Sequence, residues 1–403
     1  MTGDTPRPLD GIRVLDLSRL LPGPAATFLL SAFGADVVKV EDIDEGDRAR
    51  RIPFNAAPET GLFEQVNRGK RSIAINLKSP LGRAAFLTLV PRFDVVVEGA
   101  RPGTMERLGL GYETLRQHND RLVYVAVSGY GQTGPYKDLA GHDLNYLALT
   151  GGLDALAGGD GPRVPGLAIA DMTAALFAVT GTLLALQSRD RTGQGQLVDV
   201  ALADAAVWHL AFPLALFGVD NRAPRAGQTV LTGGMAYCNT YPTSDGRAVA
   251  VAAGEPRFWA TLCATLGCAD LIGEQFAAPP RQVEMRRQLE AVFRTRTADE
   301  WWTMFQDLDA CVTPVRDLTS LGTDEHFQAR GVVAGRWRIG PQPLLRGTPG
   351  RVIDGAPILG QHTREVLKEA GLSDAEVSRL EREGAIRVVD TTQSKVGTKG
   401  APS

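Results

Sequence analysis

The 403-residue chain carries 43 basic and 46 acidic residues, a net charge of -3, and is 44% hydrophobic, enough for two or three domains around a large core. That balance excludes a bulk electrostatic grip on nucleic acid or an anionic membrane, so an anionic ligand must be met by a local cluster of bases. The opening "MTGDTPRPLDG" has no basic segment leading into an apolar run, no stretch approaches the roughly 18 uninterrupted apolar residues of a membrane helix, and four cysteines form no CxxC pair. A cytoplasmic protein with reduced thiols is expected.

In chain order, "GIRVLDLSRLLPGPAATFLLSAFGADVVKVED" predicts a strand over Ile12 to Leu17, a Pro/Gly turn, a helix from about Pro24 to Phe33 stopped by Gly34, and a second strand. The pattern recurs with "SIAINL", a helix after Pro80, "FDVVVEGA" and "RLVYVAVSGYG". Strands alternating with helices imply a parallel sheet covered on both faces, so the first domain is expected to be α/β. A long apolar helix is expected from Asp171, and a second over "LADAAVWHLAFPLALFG", broken before Pro213. Near Arg225 the texture turns to Gly-rich turns, short strands and then helices, read as a smaller domain over 225–330. Residues 331–389 are read as a return to the first domain, and 390–403 as a small, polar, disordered tail.

Four features carry candidate chemistry. "GYGQTG" fits GxGxxG after a strand, but Pro135 and the polar "YKDLAGHD" follow where a pyrophosphate-binding helix would have to open, so a tight turn allowing close approach is the better reading. His142, one of five histidines, precedes "DLNYLALTG" with Asp143 as a helix cap, beside free N–H groups and the positive end of the helix dipole. A ring there is held neutral and able to take a proton, or is simply satisfied by a turn carbonyl. Asp171 ends "GLAIAD", read as an extended strand delivering a carboxylate to the long helix, as an acid or as a cap. Glu255, before Pro256 and after the Gly254 turn, is a third carboxylate of that kind. If brought together, a base and an acid on opposite faces of a substrate carbon, with helix N–H groups beside its carbonyl oxygen, could remove and return an α-proton.

The stretches "AGHDLNYLALTGG", "GLAIAD", "VAAGEPRFWATLCATLG" and "DACVTPV" resemble the α-methylacyl-CoA racemases of the family III CoA-transferase superfamily. So do "LPGPAATFLLSAFGADVVKVE", "NRGKRSIAINLK", "EGARPGTMERLGLG", "VSGYGQTGP", "TGQGQLVDV" and "PILGQHTREVLKEAG", in order along nearly the whole chain. The resemblance implies a Rossmann-like large domain with a parallel sheet, a smaller inserted α+β domain, and two subunits threaded as an interlocked homodimer. It implies that His142 is the base, Asp171 the opposing acid, and Glu255 a carboxylate supplied from the partner subunit. It places Lys70, Arg71, Lys78 and Arg101 in regions that line the CoA site, and counts Ile75, Gly141, Asp143, Asn145 and Tyr146 with them among the residues that bind the acyl-CoA substrate. Coenzyme A is then part of an acyl-CoA thioester substrate, and no separate cofactor or metal is called for. The chain departs from the resemblance at Asp42, where an arginine is common, which would either lose a phosphate contact or pass it to Lys39 or Arg48. It departs again at Thr173, Ala174 and Ala175, which replace a more glycine-rich run, and at Thr232, where an aspartate is common; these bear on the acyl group.

The alternative enzyme is a CoA transferase of the same superfamily, in which the Asp171 carboxylate is the nucleophile and forms an aspartyl-CoA thioester. A transferase does not need the base at position 142, so "GHDLNY" favours the racemase. A silent CoA-binding scaffold would be expected to have lost one of His142, Asp171 and Glu255, and all three are present.

Overall fold

The computed structural model describes residues 6–52, 61–156, 161–223, 225–334, 338–351 and 355–389; the expected tail over 390–403 lies outside them. The chain divides into two units, one of Met1–Tyr146, Ala168–Ala206 and Glu325–Ser403, the other of Leu147–Leu167 and Val207–Asp324. In this grouping the second unit resumes at Val207, ahead of the texture change near Arg225. The apolar run before it leaves the first unit after Ala206, and residues 147–167 belong to the second.

The first unit is built on valine-rich strands: β1 (Arg13–Leu17), β2 (Asp36–Glu41), β3 (Arg71–Ile75), β4 (Val95–Glu98), β5 (Val123–Ser128) and β6 (Leu197–Ala201). With a short edge strand, Ile386–Arg387, they form a seven-stranded sheet ordered Ile386–Arg387, β3, β2, β1, β4, β5, β6. All the pairings are parallel except the edge strand on β3. Val14 sits between Val37 on one side and Val95 on the other, so the strand order reverses between β1 and β4.

The near-continuous apolar strands are explained by burial on both faces. On one face Leu15, Val38, Ile73 and Val96 meet Phe86 and Leu89 of the helix Pro80–Leu89 and Leu367 of the helix Thr363–Glu369. The C-terminal segment does return to this sheet. On the other face lie the helices Pro22–Ala32 and Ile169–Thr192, packed on each other as well as on the sheet. The first starts two residues before the expected Pro24 because prolines are tolerated throughout a first turn, where the amide hydrogens have no intrahelical partner.

The 24-residue helix Ile169–Thr192 buries Ala174, Ala175, Ala178 and Ala185 and leaves Leu176, Leu183 and Leu184 exposed. By length and composition alone it is apolar enough to cross a membrane, although polar residues interrupt its apolar run. It already includes Ile169 and Ala170, so "GLAIAD" is not an extended strand delivering Asp171. The next apolar run splits into Leu202–Trp208 and Ala211–Asp220, which puts Pro213 in the first turn of the second helix.

The second unit pairs β7 (Cys238–Pro242), β8 (Ala248–Ala252) and β9 (Val312–Pro314) antiparallel in that order. Its core holds Trp259, Met285, Phe293, Trp301 and Phe305 from the helices Pro256–Thr265, Pro279–Phe293 and Ala298–Phe305. Both buried indoles are satisfied, Trp259 donating to the Leu271 carbonyl at 2.9 Å and Trp301 to that of Phe293 at 2.8 Å.

Candidate active site

In an open parallel sheet the crevice for a ligand lies beyond the carboxyl ends of the strands, where their order reverses. Here that point is between β1 and β4, and the loops leaving them, from Ser18 and from Gly99, line a cavity of about 440 Å³. The end of β5, the stretch Lys137–His142, Tyr146 and Asp171 complete its walls. Two further hollows adjoin it. One, of about 200 Å³, is mostly apolar, with Leu17, Val40, Ile75, Met105 and Leu108, and shares Arg19, Gly99 and Ala100 with the first. The other, of about 640 Å³, shares Arg19, Asp42 and Lys78 with the apolar one and adds Arg48 and Arg107 together with Asp44 and Glu45. A reactive pocket, an apolar slot and a charged basin, in which four bases face three acids, thus adjoin one another.

His142 sits just before the helix Asp143–Leu149, its carbonyl accepting from Asn145 N–H at 2.8 Å and its own N–H donating to Asn145 Oδ1 at 3.0 Å. His142 is exposed. Asp143 caps a different helix from the expected one: its Oδ1 accepts the backbone N–H of Asp171 at 3.0 Å. That bond docks the start of the long helix against the His142 turn, so His142 and Asp171, far apart in sequence, line one cavity.

Burial pushes the Asp171 carboxyl up to about 6; the Asp143 charge adds to the rise and His142 opposes it. Tyr146 is buried beside it, its hydroxyl donating to the Gly141 carbonyl at 2.6 Å and pushed up to about 12, first by burial and then by the Asp171 charge. The glycine turn "GYGQTG" serves this ring. A Cβ on Gly129 would lie 2.7 Å from the Tyr146 hydroxyl, and one on Gly141 2.8 Å from the ring edge. No helix opens after the turn until Asp143, as its sequence context had indicated.

Of the residues singled out in sequence, His142, Asp171, Arg101, Gly141, Asn145 and Tyr146 line the first cavity, and Ile75 and Lys78 the apolar slot. Asp143 stands behind them through Asp171. Lys70 and Arg71 line none of the three hollows. The Lys70 ammonium is fully buried and held by Asp16, the Pro24 carbonyl, Thr27 and Asn67 at 2.7 to 3.0 Å. Arg71 opens β3 at the amino end of the sheet, where it pairs with Asp36 at 2.6 Å, Glu369 at 2.8 Å and Glu365 at 3.1 Å. Lys39 is likewise unable to replace a phosphate contact at Asp42, being fully buried 2.9 Å from Asp47, whereas Arg48 does line the basin. Glu255 lies in the second unit, at the cap of the helix Pro256–Thr265 without a side-chain capping bond, and is not among the residues lining the cavity. Among the described residues no group of three or more His, Cys, Asp or Glu is placed to hold a metal ion.

Sequence reasoning missed Arg19, which lines all three hollows, and with it Lys137 and Arg107. The signal for Arg19 was available. It follows β1 as Arg101 follows β4, and the same carboxyl-end rule that pointed to one points to the other.

Comparison with known proteins decides the class. Residues 9–363 match the model of CoA-transferase family III. The chain belongs to that family. Human α-methylacyl-CoA racemase is 37% identical over 92% of this chain and 96% of its own length. Succinyl-CoA–D-citramalate CoA-transferase of Chloroflexus aurantiacus is 34% identical over 94% and 98%. Among solved structures, a CAIB/BAIF family protein from Brucella suis superposes with a TM-score of 0.80, 29% identity, and coverage of 90% of this chain and 99% of that one. Within family III, racemase and transferase relatives therefore stand at similar distances, and the side chains of the cavity have to separate them.

Proposed function

We propose that this family III enzyme is a racemase of 2-methylacyl-CoA thioesters. The observation that carries the reading is the pairing of an exposed histidine, His142, with a carboxyl raised to about 6, Asp171, on the wall of one cavity. A thioester carbonyl acidifies its α-proton. One of the two groups takes that proton, the enolate is held by backbone N–H groups at the helix starts, and the other group returns a proton to the opposite face. For the opposite enantiomer the roles exchange. A carboxyl near 6 suits both directions, being ionised at neutral pH yet cheap to protonate. Positioned acid–base catalysis supplies about 10²–10⁴ in rate and each oxyanion donor about 10²–10³. Arg101 and Lys78 fit the role of bases for the CoA phosphates, with Ile75 in the apolar slot.

The enzyme is further proposed to act in the cytoplasm as an interlocked homodimer in which the partner subunit supplies Glu255, with no cofactor beyond the CoA of its substrate. The exposed Leu176, Leu183 and Leu184 on the long helix, 54%, 43% and 66% accessible, support burial against a second copy. A transferase reading is favoured by one fact, that Asp171 is also a carboxylate open to the cavity and so a competent nucleophile.

One experiment separates them: NMR of 2-methylacyl-CoA in deuterated water, without an acceptor acid, for wild type, His142→Ala and Asp171→Ala. Deuterium uptake at the α-carbon that both variants abolish is the racemase outcome. No uptake, with CoA exchange into an added carboxylic acid that only Asp171→Ala abolishes, overturns it in favour of the transferase.

A further inference from the structure

Beneath the cavity lies a charge cluster that the chemistry above does not use. Asp16, at the end of β1, is fully buried and accepts from Thr27 at 2.7 Å and from Lys70 at 3.0 Å, with the Lys39 ammonium 3.8 Å away. Lys39, also fully buried, lies 2.9 Å from Asp47. Burying four charged groups is expensive and gives little net stability over an apolar packing, so such a cluster calls for another role.

Its contacts with the loop after β1 indicate one. Ser18 N–H donates to Asp16 at 3.0 Å, the Ser18 carbonyl accepts from Lys39 at 2.9 Å, and Leu20 N–H donates to Asp47 at 3.1 Å. Leu20 has φ +66°, a left-handed conformation that a branched side chain rarely adopts and that persists only where its surroundings impose it. Both neighbours of Arg19 are thus fixed by buried charges. Arg19 itself is exposed, makes no ion pair with a described residue, and is the cation common to all three hollows.

We infer that Arg19 is the diphosphate-binding residue of the CoA site, and that Asp16, Lys39 and Asp47 are positioning residues that hold it in its binding conformation. The inference rests on the CoA reading above. The diphosphate is the part of CoA that joins the pantetheine arm to the adenosine, and Arg19 stands where the reactive pocket meets the slot and the basin. A guanidinium held in place binds such an anion bidentately without first losing the freedom of a mobile loop.

The test is calorimetric and needs no turnover: CoA, dephospho-CoA and pantetheine are titrated into wild type, Arg19→Gln, Lys39→Met and the nearly isosteric Asp47→Asn. Arg19→Gln is expected to weaken CoA and dephospho-CoA by the same factor, about ten- to a hundredfold for a lost charge-assisted contact, and to leave pantetheine unchanged. Lys39→Met and Asp47→Asn are expected to show the same pattern although neither side chain lines a hollow, and to add little to Arg19→Gln in double variants. If Lys39→Met does not fold, Asp47→Asn carries that comparison. Equal weakening of pantetheine, unchanged CoA affinity in Arg19→Gln, or a loss confined to CoA with dephospho-CoA spared overturns the diphosphate assignment. Lower thermal stability in Asp47→Asn with full CoA affinity overturns the positioning role. Wild type that binds none of the three overturns the CoA reading itself, an outcome distinct from a failure of Arg19.

Discussion

Asp171→Asn isolates the energetic penalty of keeping a carboxylate in the cavity. The carboxyl is raised from its ordinary 3.8 to about 6, first by burial and then by Asp143. At about 1.4 kcal/mol per tenfold in proton affinity this is a bias of about 3 kcal/mol toward the neutral form, trimmed to about 2–3 because the group is only half-buried. The raised value means the fold is favoured by the proton. That contribution is fully present below pH 3.8 and is lost as pH rises through about 6. Asparagine has nearly the same shape, cannot ionise, and retains the backbone N–H that Asp143 accepts. The variant should therefore be more stable than wild type by about 2–3 kcal/mol at pH 8, by about half of that at pH 5, and by little near pH 4. Denaturant unfolding followed across this range checks it. Asp143→Asn keeps the acceptor but removes the like charge, so in that background the difference should still set in near pH 4 but level off at lower pH and at a smaller value. A stability difference independent of pH, or a wild type more stable than the variant at pH 8, would refute the reasoning.

Gly23→Ala should distort the Arg19 loop, because a Cβ there would lie 2.2 Å from that of Ser18; thermal unfolding should register about 1–3 kcal/mol of overpacking, and CoA affinity should fall with it. If Glu255 acts across a dimer, co-expression of His142→Ala with Glu255→Ala should recover about a quarter of wild-type turnover, since half the dimers are mixed and each mixed dimer keeps one intact site. Turnover no higher than that of either variant alone would return Glu255 to its own subunit or to no role.

How far the sequence was legible depended on whether a feature is local. The alternation of β1, β2 and β4 with helices is a short-range signal, and the parallel sheet followed from it. "GLAIAD" misled because four small or branched apolar residues before a carboxylate suit a strand and a buried helix start equally well; packing on the helix Pro22–Ala32 decided for the helix. The charges were the least legible. Lys70, Arg71 and Lys78 stand within nine residues in "KRSIAINLK" and look alike in sequence, yet each goes elsewhere. Lys70 ends in the buried cluster, Arg71 among carboxylates at the amino end of β3, and Lys78, beyond the carboxyl end, at the hollows.

The same strand polarity gives a rule that composition cannot. In a parallel sheet a base just before or at the start of a strand and a base just after it lie a full strand length apart, about 16 Å for five residues, and only the second kind can meet a ligand at the carboxyl edge. Arg19, Lys78 and Arg101 are all of the second kind, following β1, β3 and β4. Lys39 lies inside β2, where its ammonium can reach only the layer between sheet and helix, and it is there that Asp16 and Asp47 receive it. A chain of net charge -3 can thus present a cationic edge without being basic overall, because strand position rather than abundance decides which of its 43 bases face the ligand. His142 and Asp171 stand apart from this rule. Both come from helix starts that Asp143 docks together, a contact between residues 28 apart with no periodic signature, so the long helix has to be seated on the sheet before base and acid share a cavity.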